Sequence, residues 1–216
     1  MFRNALAAVS LVVSGCVCGP PPPKPLPPPT VMDVPDSGVR TSARGNLRFK
    51  GPERLANDFA AALDLRPSDV CNELGQYPCA TFVHNVALGG VDPYGPGLYE
   101  PSGVTAVTTP LAVERMALAA CTRRVDADLG TPSAAVVFRA LPLNGKKFTS
   151  TDAPELPAVV GELTRRALVR DPYAPELTRY VQLAKDIEAT GSAEPARAWL
   201  QAVCFAILSS TESVFY

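Results

Sequence analysis

The sequence predicts an all-α protein, a small irregular helical bundle with a long ordered Gly/Pro-rich central loop, preceded by a signal peptide and a proline-rich tether. Three observations carry this. Beyond residue 46 apolar residues recur every three or four positions, and almost nothing alternates with period two. Prolines and hydroxyl residues stand where those periodic stretches begin. Eight of the 23 prolines crowd into residues 20–29, and without that block the composition is ordinary for a globular protein. The expected organisation is a leader over 1–15, a tether over 16–45 and a helical domain over 46–216.

The leader follows from Arg3, the apolar run Ala5 to Val13, and the small residues Ser14 and Gly15 before Cys16. That run is shorter than the roughly 20 residues a membrane-spanning helix needs. Val13-Ser14-Gly15-Cys16 resembles the lipobox of bacterial lipoproteins. The resemblance implies cleavage before Cys16, lipidation of its thiol and acylation of its new amine. Acyl chains contribute about 0.8 kcal/mol per buried methylene, so several of them anchor a protein durably. Val17 stands where inner-membrane lipoproteins of enteric bacteria carry Asp, so the resemblance points to the outer membrane.

Pro20 to Pro29 reads as a polyproline II segment. At about 3.1 Å per residue, ten residues hold a domain roughly 30 Å from the anchor. Residues 30–45 continue it as a polar, flexible stretch. Pro52 opens a helix with Leu55, Phe59 and Leu63 on one stripe. A short second helix is expected near Asp69 to Leu74, capped by Ser68, and a third near Ala80 to Leu88. Thr109-Pro110 starts a helix to Asp128 with Leu111, Leu118, Cys121 and Val125 inward, and another short one covers Ser133 to Leu141. Pro154 to Val169, Pro175 to Ala189 and Pro195 to Ser209 complete the set, with stripes that include Leu156 and Leu163, Tyr180 and Ala184, and Trp199 and Val203. Asp171-Pro172 and Gly191-Ser192 separate them.

Between Gly89 and Thr108 lie five glycines and three prolines, which forbids a helix. Loops of this length in compact domains are generally functional or disordered. Tyr94, Leu98 and Tyr99 argue for order, because disordered segments are poor in aromatic and large apolar residues. Two readings remain open: an interaction loop built from Asp92, Tyr94, Leu98, Tyr99 and Glu100, or a loop packed by its own tyrosines.

Six cysteines divide into Cys16 at the anchor, Cys18 on the tether, and Cys71, Cys79, Cys121 and Cys204 in the domain. Four cysteines in an exported domain favour disulfides. The favoured pairing is Cys71 with Cys79 as a local clasp and Cys121 with Cys204 as a staple between helices. Buried free thiols at Cys121 and Cys204 are the alternative.

The chemistry is mostly negative. Twenty basic against 21 acidic residues gives a net charge of -1, without the basic excess on which nucleic-acid binding rests. His84 is the single histidine, which rules out histidine-rich zinc sites. No nucleophile elbow, phosphate-cradling loop or haem motif occurs. No metal, no cofactor and no catalytic residue is expected. A Cys-His dyad of His84 with Cys79 or Cys71 is conceivable, and Asp92 and Glu100 are two carboxylates without the periodicity of a calcium loop.

At the C-terminal end, Leu163 to Pro172, Pro175-Glu176-Leu177, and Ala198-Trp199 on to Ala206 to Tyr216 resemble the closing helices of exported planctomycete and myxobacterial cytochrome c-associated families of unknown function. Those families start with Arg-x-Pro-Thr-x-x-Glu-Leu and finish with Leu-x-Ser-x-Glu-Phe-Leu-Phe. Here Asp171 and Ser213 depart from that pattern and the haem motif is missing. Electron transfer is therefore not carried over, and what the resemblance implies is an exported helical module.

Two functional readings follow. The first is a non-catalytic lipoprotein of the cell envelope, membrane-anchored through lipid, whose central loop meets another envelope protein. The second is an exported enzyme or small-ligand binder using His84 with Glu73, Asp92 or Glu100.

Overall fold

In the computed structural model, which describes residues 47–102, 105–141, 148 and 154–216, the first helix, α1, covers Pro52–Leu63. Its proline occupies a first-turn position, where a missing N–H costs nothing. Leu55, Phe59 and Leu63 are fully buried. The leader, the tether and the lipidation position Cys16 lie outside the described residues.

The next expected helix is replaced by a single 3-10 turn, Pro67–Asp69, in which Ser68 caps nothing. A hairpin follows, with β1 (Asn72–Glu73) antiparallel to β2 (Tyr77–Pro78). Its tip holds Leu74 and Gly75 at φ of 51° and 75°, and the Gln76 N–H donates to the Glu73 carbonyl at 3.1 Å. Left-handed geometry at both tip residues turns the chain too tightly for the helix expected there. The third expected helix is reduced to a π-helical turn, Cys79–Val83. Cys79 is fixed at its start by a disulfide to Cys71, and Gly89, at φ 74°, ends the segment.

Helix α2 (Thr109–Gly130) runs through the middle of the domain. It begins one residue before Pro110, and Thr109 is not its cap. The Thr109 hydroxyl instead donates to the Ala87 carbonyl at 2.6 Å and accepts from the Ala106 N–H at 2.8 Å. The inward stripe also differs from expectation. Cys121 and Val125 are buried, but Leu111 and Leu118 are 63% and 52% exposed. Ala112, Val113, Met116, Ala117 and Ala120 take the core face instead, where α2 packs against α1 and α5.

After α2 a 3-10 turn, Pro132–Ala134, stands where a helix to Leu141 was expected. The following residues are held by Asp128, which is fully buried. Its carboxylate accepts from the backbone N–H groups of Val136, Val137 and Phe138 at 3.2, 3.0 and 2.9 Å. It also pairs with Arg124 at 2.6 Å. A chain satisfied by a side chain in this way has no need of helical hydrogen bonds.

Helices α3 (Glu155–Leu168), α4 (Ala174–Ala189) and α5 (Pro195–Leu208) follow, with a final turn α6 (Thr211–Val214). Helix α5 packs against α2, α3 and α4 and carries the fully buried Trp199, whose Nε1–H donates to the Tyr180 carbonyl at 2.8 Å. A second disulfide, Cys121–Cys204, joins α2 to α5, so the two bonds match the favoured pairing. At the ends of the described span, Phe49 bridges Phe215. The Arg48 N–H donates to the Tyr216 carbonyl at 3.0 Å and the Tyr216 N–H returns to the Arg48 carbonyl at 3.1 Å.

Arg170, just past α3, ties three elements together. Its guanidinium makes paired hydrogen bonds to both carboxylate oxygens of Glu176 and both of Glu212, at 2.7 to 2.8 Å. These bonds from Arg170 are the main reason both carboxyls titrate below the usual range. A depressed carboxyl stabilises the fold above its unfolded pKa, about 4.3, and that contribution disappears as pH falls through the lower folded value. Melting temperature is therefore expected to fall below about pH 4.5, and less steeply in an Arg170→Met variant, when both are followed from pH 7 to 3.

Candidate functional site

Residues 89–102 of the central loop are held by short-range bonds. Gly89 accepts the Ser102 N–H at 2.9 Å, and Asp92 and Leu98 exchange both backbone bonds at 2.9 and 3.0 Å. Within this small hairpin the Asp92 Oδ1 accepts from the N–H groups of Tyr94 and Gly95 at 3.2 and 2.9 Å, an Asx turn. Asn85 supports the base by donating from Nδ2 to the Val91 carbonyl at 2.7 Å. Gly89 is required here, because a Cβ at its φ of 74° would lie 2.6 Å from the Ser102 carbonyl oxygen. The reading of a loop packed by its own tyrosines is overturned. Tyr94 is 99% and Tyr99 76% exposed, and Glu100 also faces solvent. The Asp92 Oδ1 is occupied with the turn.

His84 lies elsewhere, at a cleft of about 490 Å³ whose lining includes Ala87, Leu111, Leu118, Arg115 and Phe205. The π turn and the hairpin position it beside Glu73, with Nε2 3.5 Å from the Glu73 carboxylate. That nitrogen is buried and makes no hydrogen bond. The Arg115 guanidinium holds the same Glu73 oxygen at 2.6 Å, which links the hairpin to α2. Of the carboxylates considered with His84, the fold brings Glu73 to it, while Asp92 and Glu100 are not among the residues lining the cleft.

Glu73, Cys79 and His84 place one donor atom each within 4.8 Å of one another. The Cys79 sulfur is bonded to Cys71, so it is neither a thiolate ligand nor a nucleophile, and the Cys-His dyad is excluded while that bond stands. What remains is a histidine and a carboxylate, too few donors for a tetrahedral metal site.

Several exposed apolar residues escaped the sequence reading. Leu74 at the hairpin tip is 87% exposed, and Phe82 is 67% exposed although its ring stacks on Tyr77 at 5.3 Å. Both fall within the short helices expected at Asp69 to Leu74 and Ala80 to Leu88, and the hairpin and π turn that stand there instead leave no periodic trace. Among the described residues no helix is long and apolar enough to cross a membrane. No family model, no curated protein and no solved structure matches the chain.

Proposed function

We propose that the chain is a lipid-anchored, non-catalytic protein of the cell envelope, held at the outer membrane through Cys16, which presents its central loop to another envelope protein. The lipobox-like Val13 to Cys16 and the proline run behind it support the anchor and spacer. One observation carries the interaction: Tyr94 stands exposed on a turn already fixed by Asp92, and Tyr99 stands exposed just past the bridge that closes it. Tyrosine offers a large, amphipathic contact area with only two side-chain torsions to immobilise. A preformed turn also avoids the cost of ordering a loop on binding.

A second reading keeps the cleft as a small-ligand site, and the orphaned Nε2 of His84 favours it. Crosslinking in intact cells separates the two. The Tyr94→Ala/Tyr99→Ala variant is expected to lose the captured protein with its melting temperature unchanged, and His84→Ala to retain it. The reverse pattern supports the cleft. In the same cells Cys16→Ser is expected to release the chain from the membrane fraction, and continued association would remove the anchor.

A further inference from the structure

The outward face of α2 borders solvent and the cleft, touching the hairpin through Arg115 and Glu73, and its sequence contains a chemical palindrome. Leu111-Ala112-Val113-Glu114-Arg115-Met116-Ala117-Leu118 reads Leu, Ala, apolar, charged from either end, with an acid and a base meeting at the centre. Ala112, Val113, Met116 and Ala117 face the core, whereas Leu111 and Leu118 are more than half exposed and border the cleft with Phe205 and Ala87. Glu114 and Arg115 lie between the two leucines on the solvent side. Residues three, four and seven apart on a helix share a face, so Leu111, Glu114, Arg115 and Leu118 form one stripe.

We infer that this stripe is a two-fold interface and that its occupant is a second copy of this chain. An isologous contact joins one patch to itself, so the patch must be complementary to itself. Antiparallel packing of two α2 helices, with the axis passing between Glu114 and Arg115, meets this condition. It sets Leu111 of one copy against Leu118 of the other at both ends. At the centre, Glu114 of each copy meets Arg115 of the other, so both charges are matched twice. Arg115 already holds Glu73 through one terminal nitrogen, but a guanidinium has five N–H donors and can serve a second carboxylate. Glu114 has no ion pair among the described residues. The exposed leucines also extend beside an apolar cleft that a leucine of the second copy can enter. A single helix crossing buries less than the roughly 800 Å² per partner of a standard interface. The pairing is therefore expected to be weak in dilute solution and to gain from confinement on a common surface. It is independent of the loop's partner.

The test uses the full chain in intact cells, with a photoreactive phenylalanine analogue in place of Leu118. Irradiation is expected to give a covalent species of twice the chain mass, with the adduct mapped to the first turn of α2 in the other copy. Glu114→Arg, at an exposed position, is expected to lower this yield by roughly tenfold, since it sets like charges together. Arg115→Glu does the same alone. Mixing the two single variants restores both charge pairs, and crosslinking between them is expected to recover. Melting curves confirm that each variant is folded. Overturning results are an adduct on a different polypeptide, an adduct elsewhere on a second copy, no adduct, or folded single variants that crosslink as well as the parent.

Discussion

Replacing Asp128 by Ala is expected to cost the domain about 3–5 kcal/mol, the range for breaking a buried ion pair by removing one partner. The carboxylate is fully buried and serves two roles at once. It accepts the backbone N–H groups of Val136, Val137 and Phe138, each of which would be left without an acceptor. It also balances Arg124, which is 8% exposed and reaches on to the Asp64 carbonyl at the end of α1 at 3.4 Å. Without the carboxylate the guanidinium is a buried, unpaired charge. The substitution therefore loosens the segment over Phe138 and the α1 to α2 contact together. Asp128→Asn keeps an acceptor for the amides but sets a neutral amide against Arg124, so a smaller loss is expected. Urea denaturation at pH 7 measures both, and a domain of this size loses roughly 2–4 °C of melting temperature per kcal/mol. A loss under about 1 kcal/mol, the net value of one ordinary hydrogen bond, would contradict this account.

The two disulfides are expected to differ in what their removal costs. Cys121–Cys204 spans 83 residues of sequence and Cys71–Cys79 spans 8. Loop closure in the unfolded chain then gives about 4.5 kcal/mol for the long link and about 2.5 for the short one. Replacing both members of each pair by Ala and comparing urea midpoints gives the order directly, and equal or reversed losses would sink the chain-entropy explanation. The links should also differ in access. Both sulfurs of the long link are on fully buried residues, whereas Cys71 is partly exposed. A mild dithiol is therefore expected to open Cys71–Cys79 first, with alkylation and peptide mapping as the readout.

Legibility in the sequence followed the physics of each element. Helices α1 and α5 were clear because proline marks their first turn and their stripes are narrow, with Leu55, Phe59 and Leu63 on one and Trp199, Val203 and Ile207 on the other. Helix α2 was found, and the C-terminal half of its face with Cys121 and Val125, but not the N-terminal half. Its first half carries apolar side chains on both sides of Glu114 and Arg115, so periodicity favoured the larger Leu111 and Leu118 while the alanines took the core face. The hairpin was invisible because strands of two residues have no period. Its tip also uses Leu74 in a left-handed conformation that leucine seldom adopts. Asp128 was equally hidden, since an acidic residue near a helix end reads as solvated until a fold covers it. At the loop, glycine and proline content gave the absence of helix. The exposure of Tyr94 depended on the Asx turn at Asp92, and that of Tyr99 on the bridge of Asp92 to Leu98, neither of which composition shows.

The bridge between Phe49 and Phe215 has a mechanical consequence. A load applied between residue 47 and Tyr94 first meets the backbone bonds that join Arg48 to Tyr216 and Lys50 to Val214. It then runs through α1 and the hairpin, where the Cys71–Cys79 link takes the intervening residues out of the extensible length. The chain from α2 to α5 lies off this line of force. Tension along that path would peel the last residues away and draw on α1 while the stapled α2 to α5 body kept its shape, so the N-terminal third would act as the compliant element of a stiff particle.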